Sequence, residues 1–143
     1  SYVDTFKEKV RSKGLDKDVK ILTNVPDREL LDLYRNCSVF LYTPTGEHYG
    51  FGPVEAMASG KPVIASKFGG PSETVLDGET GFIIEDDPKA WSAKISLLMD
   101  NTSLRKKMGR KGRKRVEENY TWAAFQKSMA KAIDQIKAKA NTT

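Results

Sequence analysis

Apolar positions open the chain at helical spacing. Tyr2, Val3, Phe6 and Val10 share one face of a helix over residues 2–13, and Gly14 is placed to end it. The period then changes. VKIL, 19–22, reads as a short strand. Pro26 and Asp27 introduce a helix through Asn36, with Asp27 as its N-cap and Leu30, Leu31, Leu33 and Tyr34 along it. SVFLY, 38–42, is a nearly unbroken apolar run, the pattern of a strand covered on both faces. PVIAS, 62–66, and GFII, 81–84, repeat it. Short helices fit between, at 53–59 and 71–76. Pro53 and Pro71 stand at their first positions, each after a glycine.

Strands alternating with helices predict an α/β fold: a Rossmann-like parallel sheet with helices on both sides. From residue 88 to 143 the pattern is helical throughout. Trp91, Ile95, Leu98 and Met99 suit one helix; Leu104, Met108 and Val116 suit a second. Thr121 caps a third, with Trp122, Phe125, Met129, Ile133 and Ile136 on one face, and AKANTT forms a frayed tail.

Composition bounds this picture more than it changes it. The 143 residues are 38% hydrophobic and 30% charged, as expected of one globular domain over 1–143. No apolar run approaches the ~18 residues that suggest a membrane span. No signal-like segment opens the chain, and the single cysteine, Cys37, permits no internal disulfide. The expected setting is cytoplasmic. The chain starts inside a helical pattern, so a segment preceding it is expected. The net charge of +5 is uneven. Residues 1–100 hold 12 basic and 16 acidic groups; residues 101–143 hold 12 basic and 3 acidic. The basic excess centres on RKKMGRKGRKR, Arg105 to Arg115.

Candidate chemistry gathers in GEHYGFGPVEAMASGKP, 46–62. In a doubly wound sheet, ligands bind beyond the carboxyl ends of the strands. Two glycine-rich loops leave such ends: TPTGEHYGFG after SVFLY, and KFGG after PVIAS. Each runs into a helix start, where free amides and the helix dipole favour an anion such as phosphate. Gly50 and Gly52 let backbone approach a ligand. Glu55, about three residues into the helix, suits the dipole as an ordinary helix-start acid. Glu47, in the loop with seven residues between it and Glu55, has no such role. Two carboxylates flanking a phosphate cradle suit a nucleotide sugar, with its ribose diol, diphosphate and sugar hydroxyls. A glycosidase pair would leave the cradle unexplained. One His48 and one Cys37 do not build a metal cluster. His48 reads as a base or as a surface loop residue, and Cys37 as packing. No P-loop occurs, and GFG is only part of a dinucleotide fingerprint.

Glu47-x7-Glu55 in GEHYGFGPVEAMASGKPVIAS, followed by GGPSETVLDGETGF, resembles the C-terminal, donor-binding domain of GT-B retaining glycosyltransferases of family 4, closest in flavour to mannosyltransferases. VKILTNVPDRELLDLYRNCSVFLYTP before it and LRKKMGRKGRKRVEENYTW after it extend the resemblance over nearly the whole chain. The resemblance implies a partial C-terminal half of the GT-B fold. It implies that Glu47 holds donor-sugar hydroxyls and that Glu55 holds the nucleotide ribose. His48 joins the donor-binding set, and Tyr49, Gly50, Phe51 and Gly52 supply backbone amides to sugar and diphosphate. Val25 meets the base through its backbone. Asp27 touches a guanine or caps its helix. Gly69, Gly70 and Glu73 shape the neighbouring loop, Glu73 in a structural role. Donors would be GDP- or UDP-hexoses, with no metal and no cofactor. Transfer would retain the anomeric configuration, with Glu47 positioning and polarising the donor.

The family domain opens with further strands carrying an arginine and a lysine that clamp the diphosphate. This chain lacks them, and Lys7, Lys9 and Arg11 are no substitute. The expected partner is therefore an N-terminal, acceptor-binding domain outside the chain, and this piece alone is expected to be inactive. Two rival classes stay open: a non-catalytic nucleotide-sugar module, and a GT-B relative such as an epimerase or phosphorylase. The basic run 105–115 reads as a solvated helix face or as a surface for anionic membrane. Without an aromatic platform beside it, no nucleic-acid partner is expected.

Overall fold

The computed structural model describes residues 1–44 and 50–140. Contacts divide the chain into two compact units, Ser1–Leu31 and Asp32–Thr143.

The first unit holds helix α1, Tyr2–Ser12, and the opening turns of α2, Asp27–Asn36. A capping box starts α1: the Ser1 hydroxyl accepts from the Asp4 amide, while the Asp4 carboxylate accepts from the Ser1 amino group. Gly14, at φ +65°, ends it. The Leu15 amide reaches the Val10 carbonyl at 3.0 Å and the Gly14 amide reaches Arg11 at 2.9 Å, so two orphan carbonyls are satisfied. On the expected apolar face only Val10 is buried; Tyr2 and Phe6 are exposed.

Two expectations fail in this region. VKIL forms no strand. A strand exists only where a second backbone completes its ladder, and among residues 1–31 no other extended segment does so. Asp27 is the first helical residue of α2, not its cap: the Leu30 amide donates to the Pro26 carbonyl at 2.9 Å.

The second unit is built on three parallel strands in the order β1-β2-β3: Phe40–Tyr42, Val63–Ser66 and Gly81–Ile84. Phe40 pairs with Val63, and Ile64 with Phe82. Parallel neighbours need a crossover. Helix α3, Phe51–Ala58, supplies the first and α4, Pro71–Thr74, the second. Pro71 opens α4 as expected, but Pro53 is the third residue of α3, which starts at Phe51. The loop glycine Gly50, not the proline, makes the turn into that helix.

Side chains alternate along a strand. Ile64, Phe82 and Ile84 therefore share one face, where they pack with Leu98 and Met108. These two come from α5, Pro88–Asp100, and α6, Thr102–Asn119. Trp91, Ile95 and Leu104 close the edge of this cluster. Val63 and Ala65 face the other way and are fully buried, with α3 and α4 packed on β2. The strand β2 is covered on both faces as expected. The strand β1 is not: Leu41 is 43% exposed, because β1 is the end of the three-strand order and lacks a second neighbour among the described residues.

The helical tail follows the sequence closely. Asp87 caps α5 through the Lys89 amide at 3.0 Å. Asn101 caps α6 through the Leu104 amide at 2.9 Å. Thr121 caps α7, Trp122–Ala140, through the Ala124 amide at 3.2 Å. Residues 138–140, expected to fray, continue that helix. The face Trp122, Phe125, Met129, Ile133 and Ile136 exists, and it is exposed, with Trp122 stacked on Phe125 at 5.3 Å.

Candidate functional site

The site expected from sequence is only partly within the described residues. Glu47, His48 and Tyr49 lie outside them. Gly50, Phe51, Gly52 and Glu55 are described, and all four belong to the start and body of α3.

Gly50 precedes α3 at φ +63° and gives it no side-chain cap. Gly50, having no side chain, adds no capping oxygen of its own to the start of α3, which lies at the positive end of the helix dipole. Phe51, the first helical residue, is exposed. Under this turn lies an aromatic layer. The Tyr34 ring sits 5.3 Å from that of Phe40, and Phe40 stacks on Tyr42 at 6.3 Å. A Cβ added at Gly50 would stand 3.0 Å from the Tyr42 hydroxyl oxygen, and one at Gly52 would stand 3.2 Å from Phe40 Cζ. These glycines therefore have an internal reason beside the expected approach of a ligand. The helix start must lie flat on Phe40 and Tyr42.

Glu55 is exposed, one turn into α3. Its Oε2 accepts a 2.8 Å hydrogen bond from the Tyr34 hydroxyl. Tyr34 itself is 7% exposed. Burial, then the hydrogen bond and the charge of Glu55, push the Tyr34 phenol well above its ordinary range, so the hydroxyl stays protonated and donating. In the sequence, Tyr34 is one of the apolar and aromatic positions along a helix. Its chemical role was invisible there, because its partner lies 21 residues away.

The second loop is also accounted for. Gly69 takes φ +91°, exposed, and Gly70 is buried at the start of α4. The Gly69 carbonyl accepts from the Ser72 hydroxyl at 2.8 Å, and the Gly70 carbonyl from the Glu73 amide at 3.0 Å. Ser66, at the end of β2, ties this level to the first loop by donating to the Pro44 carbonyl at 2.8 Å. Glu73 takes part through its backbone: its carbonyl and that of Thr74 accept from the Arg115 guanidinium, both at 2.8 Å. Val25 lies half-buried in the first unit, in the irregular run before α2, and Asp27 opens α2.

A cleft of about 500 Å³ opens at the carboxyl end of the sheet. Thr43, Ser66 and Asp86 line it from the strand ends, and Trp91, Ile95 and Ser96 from α5. The carboxyl-end rule pointed to this level of the molecule. Nothing in the local sequence showed that α5 would supply its wall.

The basic run is largely committed. Arg105 donates to the Leu98 carbonyl at 2.7 Å and the Met99 carbonyl at 3.0 Å. Lys111 pairs with Glu79, Arg113 with Glu117 and Lys114 with Glu118. Arg115 holds α4 as described. Lys106, Lys107 and Arg110 are left as exposed cations with no ion pair among the described residues.

Known proteins place this arrangement. The family model described as glycosyl transferases group 1 matches residues 1–115. The alpha-1,3/1,6-mannosyltransferase ALG2 of Dictyostelium discoideum is 32% identical over 94% of this chain. The chain spans about a third of the length of that relative, 32%. Among solved structures, sucrose-phosphate synthase from Thermosynechococcus elongatus is 29% identical with a TM-score of 0.75, over 94% of this chain and 34% of that one. HepE from Anabaena, solved in complex with UDP-glucose, has a TM-score of 0.81 over 94% of this chain and 37% of its own; at 24% identity it speaks for the fold alone. Parallel sheet, crossover helices and helical tail are those of the GT-B glycosyltransferases, as the sequence led one to expect. With its match spanning residues 1–115, the chain belongs to the group 1 glycosyl transferases.

Proposed function

We propose that this chain is the donor-binding part of a retaining hexosyltransferase of family 4, moving mannose or glucose from a nucleoside diphosphate to a hydroxyl acceptor. The observation that carries the proposal is the glycine turn into the start of α3, with the exposed Glu55 carboxylate one turn in, at the carboxyl end of β1. The positive end of the α3 dipole suits a diphosphate, and a carboxylate beside it suits a ribose diol. The relatives lend support: ALG2 is a mannosyltransferase by name, and HepE was solved with UDP-glucose.

In this reading Glu47 orients and polarises the donor sugar. The α3 amides stabilise charge that builds on the leaving diphosphate, a preorganised contribution that needs no bound metal. The diphosphate helps deprotonate the incoming hydroxyl on the same face of the sugar. The acceptor and the opposite wall of the donor site come from a domain outside this chain. GDP and UDP donors are both consistent with it. Lys106, Lys107 and Arg110 give α6 a modest attraction to anionic lipid, on the order of 1 kcal/mol each near the surface. Co-sedimentation with phosphatidylserine vesicles, repeated at raised salt, tests that part.

A transferase assay on the full-length enzyme, with UDP-glucose and GDP-mannose offered separately, tests the main reading. Glu47→Ala and Glu55→Ala are each expected to lower kcat/KM by about 10²-fold, the scale of losing one charge-stabilising or orienting group. If neither lowers turnover, the proposal fails.

A further inference from the structure

The Tyr34–Glu55 hydrogen bond invites a question about Glu55. The carboxylate is exposed, on a side chain with three rotatable bonds, and such a side chain samples many rotamers. A ligand that captures it must first restrict it, which weakens binding. The Tyr34 hydroxyl removes part of that freedom beforehand.

We propose that Tyr34 is a positioning residue for donor binding, fixing the Glu55 carboxylate through Oε2 so that Oε1 stays available to a ligand diol. The proposal rests on the reading that Glu55 contacts the donor. Three observations carry it. The bond has ordinary hydrogen-bond length, 2.8 Å, and joins a neutral donor to a carboxylate, the stronger class of hydrogen bond. The tyrosine is itself held still: it is buried, and its ring lies against Phe40, which stacks on Tyr42. Finally, the geometry leaves capacity. A carboxylate offers about four acceptor sites, and Tyr34 occupies one. Since the phenol is pushed upward, the hydroxyl donates throughout the neutral range.

The layer links two functions of one helix. Phe40 and Tyr42 support the glycine turn that opens α3, and Tyr34 aims the carboxylate one turn later. Diphosphate amides and ribose carboxylate are thus set on one aromatic floor.

The test is donor kinetics in the full-length enzyme, with the donor that it turns over, for wild type, Tyr34→Phe, Glu55→Ala and the double variant. Tyr34→Phe removes one oxygen and keeps the ring on Phe40. It is expected to raise donor KM about 5- to 20-fold, less than the full worth of one hydrogen bond to a charged group because only the positioning of Glu55 is lost, with kcat little changed and a melting temperature close to wild type. On the Glu55→Ala background it is expected to do nothing further. An unchanged KM in Tyr34→Phe, while Glu55→Ala raises it, overturns the positioning role and spares the donor reading. An equal KM effect with and without Glu55 shows a merely structural tyrosine and also overturns it. If Glu55→Ala leaves KM unchanged, the donor reading of Glu55 is itself wrong, and the positioning role falls with it.

Discussion

Two glycines inside the basic run, Gly109 and Gly112, offer a sharp check on the packing beneath the site. Both are buried in the middle of α6. Intrinsic propensity says that each should be improved by alanine, by about 1 kcal/mol. The structure says otherwise for one of them. A Cβ at Gly109 would stand 2.0 Å from the Gly60 carbonyl oxygen. Ordinary contact begins near 3.4 Å, so the backbones must part by about 1.4 Å. Gly60 cannot easily yield. It ends α3 at φ +72°, with its own amide on the Met57 carbonyl and the Lys61 amide on Ala56. Overpacking of this kind costs roughly 3 kcal/mol or more when backbone has to move. Less the propensity gain, Gly109→Ala is expected to destabilise by about 2 kcal/mol. At roughly 3–4 °C per kcal/mol for a chain of this size, the melting temperature falls by about 6–8 °C. Gly112→Ala is the control. Its Cβ would meet Met57 Cγ at 3.0 Å, a flexible side chain that needs to give only a few tenths of an ångström. Its penalty and its propensity gain nearly cancel. Thermal melts of both variants, followed by far-UV circular dichroism, decide the matter. A Gly109→Ala protein that melts at or above wild type, or a Gly112→Ala protein equally damaged, refutes the close approach of α6 to the end of α3.

Other expectations are simpler to check. Thr80→Val is expected to cost about 1–3 kcal/mol in urea unfolding, because the buried Thr80 hydroxyl oxygen accepts from the Leu76 amide at 2.9 Å and valine leaves that amide unpaired. Cys37 is expected to react with iodoacetamide at pH 8 more slowly than an unstructured cysteine peptide, since burial raises its thiol above the ordinary range. The Lys67–Glu85 pair, at 2.7 Å and fully exposed, lowers the Glu85 carboxyl and raises the Lys67 ammonium. Whatever stability Glu85 gains is present above the ordinary carboxylate range and lost as pH falls through its lowered folded value; for Lys67 it is lost as pH rises through its raised value. Solvent screens such a pair, so Glu85→Gln is expected to leave the melting temperature at pH 7 close to wild type.

Much of the molecule was legible one segment at a time. The runs at 62–66 and 81–84 became strands because continuous apolar character over four residues has few other uses in a chain cut by glycine and proline. Helix α7 starts where Thr121 can cap it, and α1 stops where Gly14 can turn left-handed. Glu55 could be marked as a candidate from its spacing and loop alone. These features are local: each depends on residues within one or two turns.

What the sequence by itself determined was therefore most of the elements and their α/β order. The tertiary structure decided whatever depends on distant segments meeting. VKIL lost its strand because no backbone completes its ladder among residues 1–31. Within RKKMGRKGRKR, charge suggested a surface, while the fold used Gly109 to admit the Gly60 carbonyl and Arg115 to hold α4. Tyr34 is only one more residue along a helix in the sequence; the fold brings Glu55 of α3 to its hydroxyl. The reason is the same in each case. Hydrogen-bond partners and excluded volume are properties of pairs, and a pair separated by 21 or 41 residues leaves no periodic trace in either segment.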